Sequence, residues 1–394
     1  MQIVIHRGTH QIGGCCTEIR TGQARILIDF GDELPEPGQV SQPLELEDVT
    51  CGKADCGGVF FTHYHGDHVG QLSRILPGIP LYMGSAAKEI FSLYQRRVAA
   101  HHPAATEKTI AAIQPLHPLG RVRVGDIIVT PLAVDHSAYD AYMFLIEAQG
   151  KKLLHTGDYR LHGFRGKGVL TALEKYVGQV DALITEGTAL SRPGREVVTE
   201  RDVERDAAKL LQENKYVFLL CSSTNIDRLA TFAAAAKKAG RLFVCDGYQK
   251  SILDVVTRHS GEKSPLYDFS RALTYGQNLL PMMKEKGFCM PIRGGEWARS
   301  LAERFDPRKS LFVYSMWTGY LERDPALKAL LDGQNSVILH ASGHGSPEQI
   351  KAVCDIVRPR VGIIPIHTDA PEQLSKAVDP YSVIFLEDGI TYKL

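Results

Sequence analysis

Residues 60–70 read FFTHYHGDHVG, which places His63, His65, Asp67 and His68 within one short loop. Imidazole nitrogens and a carboxylate are ligands for zinc or a related first-row cation. Side chains alternate along an extended chain, so His63 and His65 can point the same way. A turn at Gly66 then presents Asp67 and His68 to a second position, and such a loop can feed two cations. Without a cation, groups packed this closely would repel one another and stay poorly satisfied. Two cations need further ligands, and three candidates stand where apolar runs end: His136 in AVDHSAYD, Asp158 in LLHTGDY and His367 in IIPIH. His6, His101, His117 and His259 are isolated among fifteen histidines and read as incidental.

The elements that must position these groups are strands. QIVIH, RILIDFG, GGVFFTH, PLYMG and RVRVGDIIVTPLAV each combine β-branched or apolar residues with turn residues. YMFLIEAQGKKLLHTGDY predicts a hairpin turning at Gln149-Gly150, and VDALITEGT a further strand. After Gly187 the character changes. A Pro-Gly loop leads into a charged helix, then YVFLLCSS, a helix and RLFVCDG, an order that predicts a parallel α/β unit. From SVILHASGHGS the chain returns to strand, helix (PEQIKAVCDIV) and strand (VGIIPIH). One domain built from both chain ends is therefore expected, over 1–190 and 336–394, with an α/β insertion at 191–335.

Composition bounds the function. The 394 residues suit two domains, and 44 % hydrophobic with 23 % charged residues is ordinary for a globular protein. Zero formal net charge excludes a wholesale basic surface, so a polyanion would need a local groove. No apolar run is long enough to span a membrane, and MQIVIHRGTHQIGG reads as a strand entering a loop. A cytoplasmic location with free thiols is expected. Cys51 and Cys56 are spaced like half of a zinc site, but no second pair follows.

The pattern HxHxDH, a later lone His, GD and a final His resembles the metallo-β-lactamase superfamily. That resemblance implies an α/β fold, a four-layer αβ/βα sandwich with a dinuclear zinc site at one sheet edge. It assigns His63, His65 and His136 to one metal, Asp67, His68 and His367 to the other, and Asp158 as the bridge. Glu186 ending DALITEGT, and His340, Ser342 and His344 in HASGH, are similar to motifs of the β-CASP nucleases, ribonuclease J among them. The inserted α/β unit then corresponds to the β-CASP domain. Tyr139 departs from the proline that family tends to carry. The family's C-terminal domain is expected to be missing, since the sequence stops soon after His367.

HxSGH suits phosphate on its own chemistry. Gly343 permits close backbone approach, Ser342 offers a hydroxyl, and His340 and His344 donate when protonated. Ser346, Pro347 and Gln349 read instead as a helix start. Ser222 and Ser223 could add donors, and Trp317 could stack a base. The expected activity is hydrolysis of RNA, and of single-stranded DNA as an extension, by a zinc-activated hydroxide, with manganese accepting the same ligands. Asp67 or Asp158 would take a proton, with His340 and Glu186 completing the catalytic set. A homodimer is compatible with this reading. The rivals are a hydrolase of a small ester, thioester or cyclic phosphodiester, and an RNA-binding protein with a structural metal site.

Overall fold

In the computed structural model, residues 1–34, 39–98, 105–192, 194, 196–260 and 264–394 are described. His101 lies outside them. The chain divides into two units, residues 1–196 with 343–394, and residues 197–342.

The first unit opens with β1 (Gln2–Arg7), β2 (Cys16–Arg20), β3 (Arg25–Ile28), β4 (Val59–Phe60), β5 (Leu81–Gly84) and β6 (Gln114–Leu116), which neighbour one another in chain order. The first three are antiparallel and the remainder pair in parallel. A second sheet follows from β7 (Val122–Val124), β8 (Ile127–Ala133), β9 (Tyr142–Ala148), β10 (Lys151–His155) and β11 (Ala182–Glu186). The hairpin between β9 and β10 turns at Gln149 and Gly150, both left-handed at φ 53° and 72°. That is the turn the sequence predicts, because two positive φ values match the twist of the flanking strands.

Period-two alternation builds the layers. Along β9, Tyr142, Phe144 and Ile146 join Ile3, Ile5, Ile19, Ile26, Ile28 and Phe60 of the first sheet in the core between the sheets. Met143 and Leu145 face the opposite way, onto Val169, Leu173, Ile350, Val353 and Val357 of the covering helices. Helix Ser85–Val98 packs on β5 and β6 and buries Ala86, Ala87, Ile90 and Phe91, one apolar stripe at helical spacing. Helix, sheet, sheet, helix is the αβ/βα sandwich.

The second unit is a parallel sheet of β12 (Tyr216–Leu220), β13 (Leu242–Cys245), β14 (Leu273–Thr274), β15 (Phe288–Ile292), β16 (Ser310–Tyr314) and β17 (Ser336–Ile338), in the order β14-β13-β15-β12-β16-β17. Every neighbouring pair is parallel. Its strands are buried on both faces and read as continuous apolar runs, the mark of a helix-covered parallel sheet. Phe218, Phe288, Phe305 and Phe312 form its aromatic centre. Helix Glu200–Glu213 starts with a capping box between Thr199 and Asp202, and helix Ile226–Lys238 is capped by Asn225.

The chain then re-enters the first unit. Ser346 caps helix Pro347–Val357 by accepting the Gln349 amide, as the sequence predicts. β18 (Gly362–Ile366) adds in parallel to β11, and β19 (Thr391–Lys393) closes against β1. Among the described residues no helix is long and apolar enough to cross a membrane. All eight cysteines are free, and among the described residues Cys51 and Cys56 join no metal-capable group.

Candidate metal centre

The centre belongs to the first unit and is built on strand ends. β4 leads into Thr62 and His63, and a short helix, Gly66–Val69, carries Asp67 and His68. β8, β10, β11 and β18 deliver His136, Asp158, Glu186 and His367 just beyond or at their C-terminal ends. Close backbone packing fixes the loop. A Cβ on Gly31 would lie 1.7 Å from the Asp67 carbonyl oxygen, so only glycine fits there. Asp29 and His367 both hold left-handed backbones, φ 61° and 52°, as residues at constrained sites do.

His63, His65 and His136 bring ligand atoms within 4.8 Å of one another, as do His63, His68 and Asp158, and Asp158, Glu186, His344 and His367. His65 offers Nδ1, 3.3 Å from His136 Nε2. Asp158 Oδ2 lies 3.2 Å from His68 Nε2, 3.7 Å from His344 Nδ1 and 4.0 Å from His63 Nε2. Asp67 Oδ2 is 3.1 Å from His367 Nε2 and 3.9 Å from His68 Nε2. Asp158 thus stands between the groups. The seven residues singled out as metal ligands in the sequence all lie in this one cluster.

Neighbours fix the tautomers. His68 Nδ1 donates to Asp29 Oδ2 at 2.8 Å, and Asp29 also accepts the Thr62 amide at 2.7 Å. His63 Nδ1 donates to Thr62 Oγ1 at 3.1 Å, and that hydroxyl in turn donates to Asp29 at 2.8 Å. His136 Nδ1 donates to the Gly343 carbonyl at 2.8 Å, and His367 Nδ1 to Thr188 Oγ1 at 2.7 Å. Partners of this kind orient metal-binding imidazoles through the ring nitrogen that does not ligate. The Nε2 atoms of His63 and His68 are buried without a hydrogen-bond partner. An orphaned buried acceptor such as His63 Nε2 is costly unless something absent from the chain completes it. The donor set, imidazole and carboxylate, fits divalent first-row cations.

Charge is arranged to match. Burial, with the neighbouring imidazoles, holds His63 and His136 well below the ordinary histidine range, and His65 comes down to about 4. These rings are neutral and ready to donate a lone pair. Burial also disfavours charge on Asp158, yet His367, His68 and His344 outweigh it and keep the carboxylate ionised. His68 and His367 rise despite burial because Asp158 faces both. A cation would take the place of those protons.

Glu186 belongs to the first unit. Its Oε1 accepts the Tyr159 and Gly345 amides, and its Oε2 pairs with His344 Nδ1 at 3.0 Å. His340 belongs to the second unit, where its Nδ1 faces Arg228 Nη1 at 3.3 Å. Arg228 is fully buried and paired with Glu200 at 2.9 Å. Ser222, Ser223 and Ser342 are also in the second unit. Ser222 Oγ is 3.0 Å from Thr224 Oγ1, Ser223 Oγ accepts from Arg293 at 3.2 Å, and Ser342 is exposed. Trp317 is half-buried, with the Arg323 guanidinium 5.6 Å from its ring centre. Sequence reasoning missed Asp29, Thr62, Thr188 and Cys15. The signal for Asp29 was present: like Asp158, it ends an apolar run, in RILIDFG.

A sandwich of two sheets with histidines and aspartates converging at strand ends defines an α/β protein with a candidate metal centre. A Beta-lactamase superfamily domain matches residues 24–214. The chain is 23 % identical to Ribonuclease J of Sinorhizobium meliloti over 88 % of this chain and 64 % of that protein. It is 23 % identical to Ribonuclease J of Thermus thermophilus over 100 % of this chain and 74 % of that one. A crystal structure of a protein of unknown function from Enterococcus faecalis superimposes with a TM-score of 0.81 at 24 % identity, covering 100 % and 99 % of the two chains. These likenesses support reading the chain as similar to the metallo-β-lactamase superfamily and ribonuclease J-like.

Proposed function

We propose that this protein is a metal-dependent hydrolase that cleaves RNA phosphodiester bonds. The observation that carries the hydrolase reading is the set of metal-capable groups sharing Asp158, two of whose imidazoles hold buried, unpartnered Nε2 atoms. The similarity to Ribonuclease J along most of the chain supports RNA as substrate. His63, His65 and His136 would hold one zinc ion, and Asp67, His68 and His367 a second, with Asp158 between them. When bound, such a pair supplies Lewis acidity, making a water more acidic and offsetting charge on phosphoryl oxygens. Manganese accepts the same donors.

The chain's own residues supply the rest. Asp29, Thr62 and Thr188 orient the imidazoles. Glu186, anchored by backbone amides, holds His344 with Nδ1 directed at the carboxylate. Glu186 and Asp158 favour the protonated ring against burial. We assign to His344, rather than His340, the proton passed to the leaving oxygen. The second unit is read as a β-CASP domain whose Ser222, Ser223, Ser342 and His340 contact RNA; single-stranded DNA is chemically compatible.

A small-molecule hydrolase is the second reading, since it needs the same metal ligands. A purely structural metal site fits less well, because such sites close with four ligands. Incubating the protein and zinc or manganese with end-labelled 5′-monophosphorylated RNA, and separately with bis(p-nitrophenyl) phosphate, tests the proposal. Metal-dependent RNA cleavage lost in Asp158→Asn is expected. Turnover of the small diester with intact RNA would favour the second reading, and tight RNA binding without turnover the third.

A further inference from the structure

Cys15 is 3 % exposed and lies in the metal centre. It follows Gly13 and Gly14, both left-handed at φ 86° and 69°, which swing the chain back toward the ligand loop. Its amide donates to the Asp67 carbonyl at 3.0 Å, and its own carbonyl accepts the Gly31 amide at 3.0 Å. The main chain of Cys15 is therefore clamped to the helix that carries Asp67 and His68. Its sulfur and the ligand atoms of His68 and His367 lie within 4.8 Å of one another.

A second observation marks this cluster. His68 is 1 % exposed, its Nδ1 is committed to Asp29, and its Nε2, 3.2 Å from Asp158 Oδ2, makes no hydrogen bond. The adjacent Cys16 is equally buried but joins no metal-capable group among the described residues. It opens β2, whose side chains alternate in direction, so it serves as an internal control.

We propose that Cys15 provides a sulfur ligand to the cation held by His68 and His367. This rests on the metal-dependent reading above and adds a soft donor to a set of borderline imidazoles and hard carboxylates. On coordination the S–H bond breaks, the metal–sulfur bond forms and the proton passes to solvent, with no change of oxidation state. A thiolate selects zinc, cadmium or cobalt over manganese, so the two cation positions would differ in preference.

Cobalt loading of the full chain tests this, on a Cys51→Ser background to remove the exposed thiol. Elemental analysis gives bound cobalt, and near-ultraviolet absorption gives thiolate-to-cobalt charge transfer. The charge-transfer band is expected in the background protein and with Cys16→Ser added, and lost with Cys15→Ser or Cys15→Ala. Competition titrations should show the zinc-over-manganese preference falling roughly tenfold or more in Cys15→Ser. Cobalt bound without the band, read on the background protein alone, would overturn the sulfur ligand and leave the hydrolase reading standing. Failure to bind cobalt or zinc at all would overturn both.

Discussion

Single residues around the candidate metal centre would decide how well a cation is held. Asp29 touches no cation ligand atom directly; it accepts the His68 Nδ1 proton at 2.8 Å and the Thr62 amide and hydroxyl. Asp29→Asn removes the charge that orients His68, and zinc affinity should fall about 10–100-fold in calorimetric titration. Unchanged affinity would show that His68 needs no such partner. His344 is the second test. If it passes the proton to the leaving group, His344→Ala should lower kcat on RNA by about 10²–10⁴-fold with zinc content intact, and the same change at His340 should cost less. Lost metal in the first variant would instead make His344 a ligand. Sequence spacing showed the HASGH histidines as a pair; the structure adds a Glu186 contact to His344.

At the scale of elements, the ligand loop is set by what lies beneath it. Gly31 sits against the Asp67 main chain, and Cys15 and Asp32 bond to the same turn through the carbonyls of Asp67 and Gly66. Gly31→Ala would force backbone apart. A loss of about 3 kcal/mol or more in denaturant unfolding is expected, together with weakened metal binding. A variant as stable as wild type would mean that the loop shifts freely. Some elements were legible because their signals are local: the Gln149-Gly150 turn, the Ser346 cap and the strands of the first sheet. The crossing of Gly31 under Asp67 was not, because no spacing in the sequence joins residues brought together by two strand ends.

For the whole molecule, acid stability depends on buried neutral imidazoles. His155 is 1 % exposed; its Nδ1 accepts the Gly157 amide at 3.1 Å and its Nε2 donates to Thr17 at 3.2 Å. Burial, aided by the charge on His68, lowers it from 6.5 to about 3. Between those values the unfolded chain binds a proton that the folded chain refuses. Its contribution is therefore complete above pH 6.5 and is lost at about 1.4 kcal/mol per unit as pH falls toward 3. His155→Gln, which keeps an amide for the same bonds, should flatten the decline of Tm between neutral and mildly acidic pH. An unaltered slope would place the acid sensitivity elsewhere.

The sequence by itself determined the candidate ligand types, the strands that present them and the return of the chain to its first sheets, because those follow from residue chemistry and periodicity. Only the tertiary structure decided that His344 meets Glu186, that Asp29 holds His68 and that a thiol stands among the candidate ligands. Those pairings join residues far apart in the chain, and they exist only once both sheets have packed and brought their strand ends to one edge.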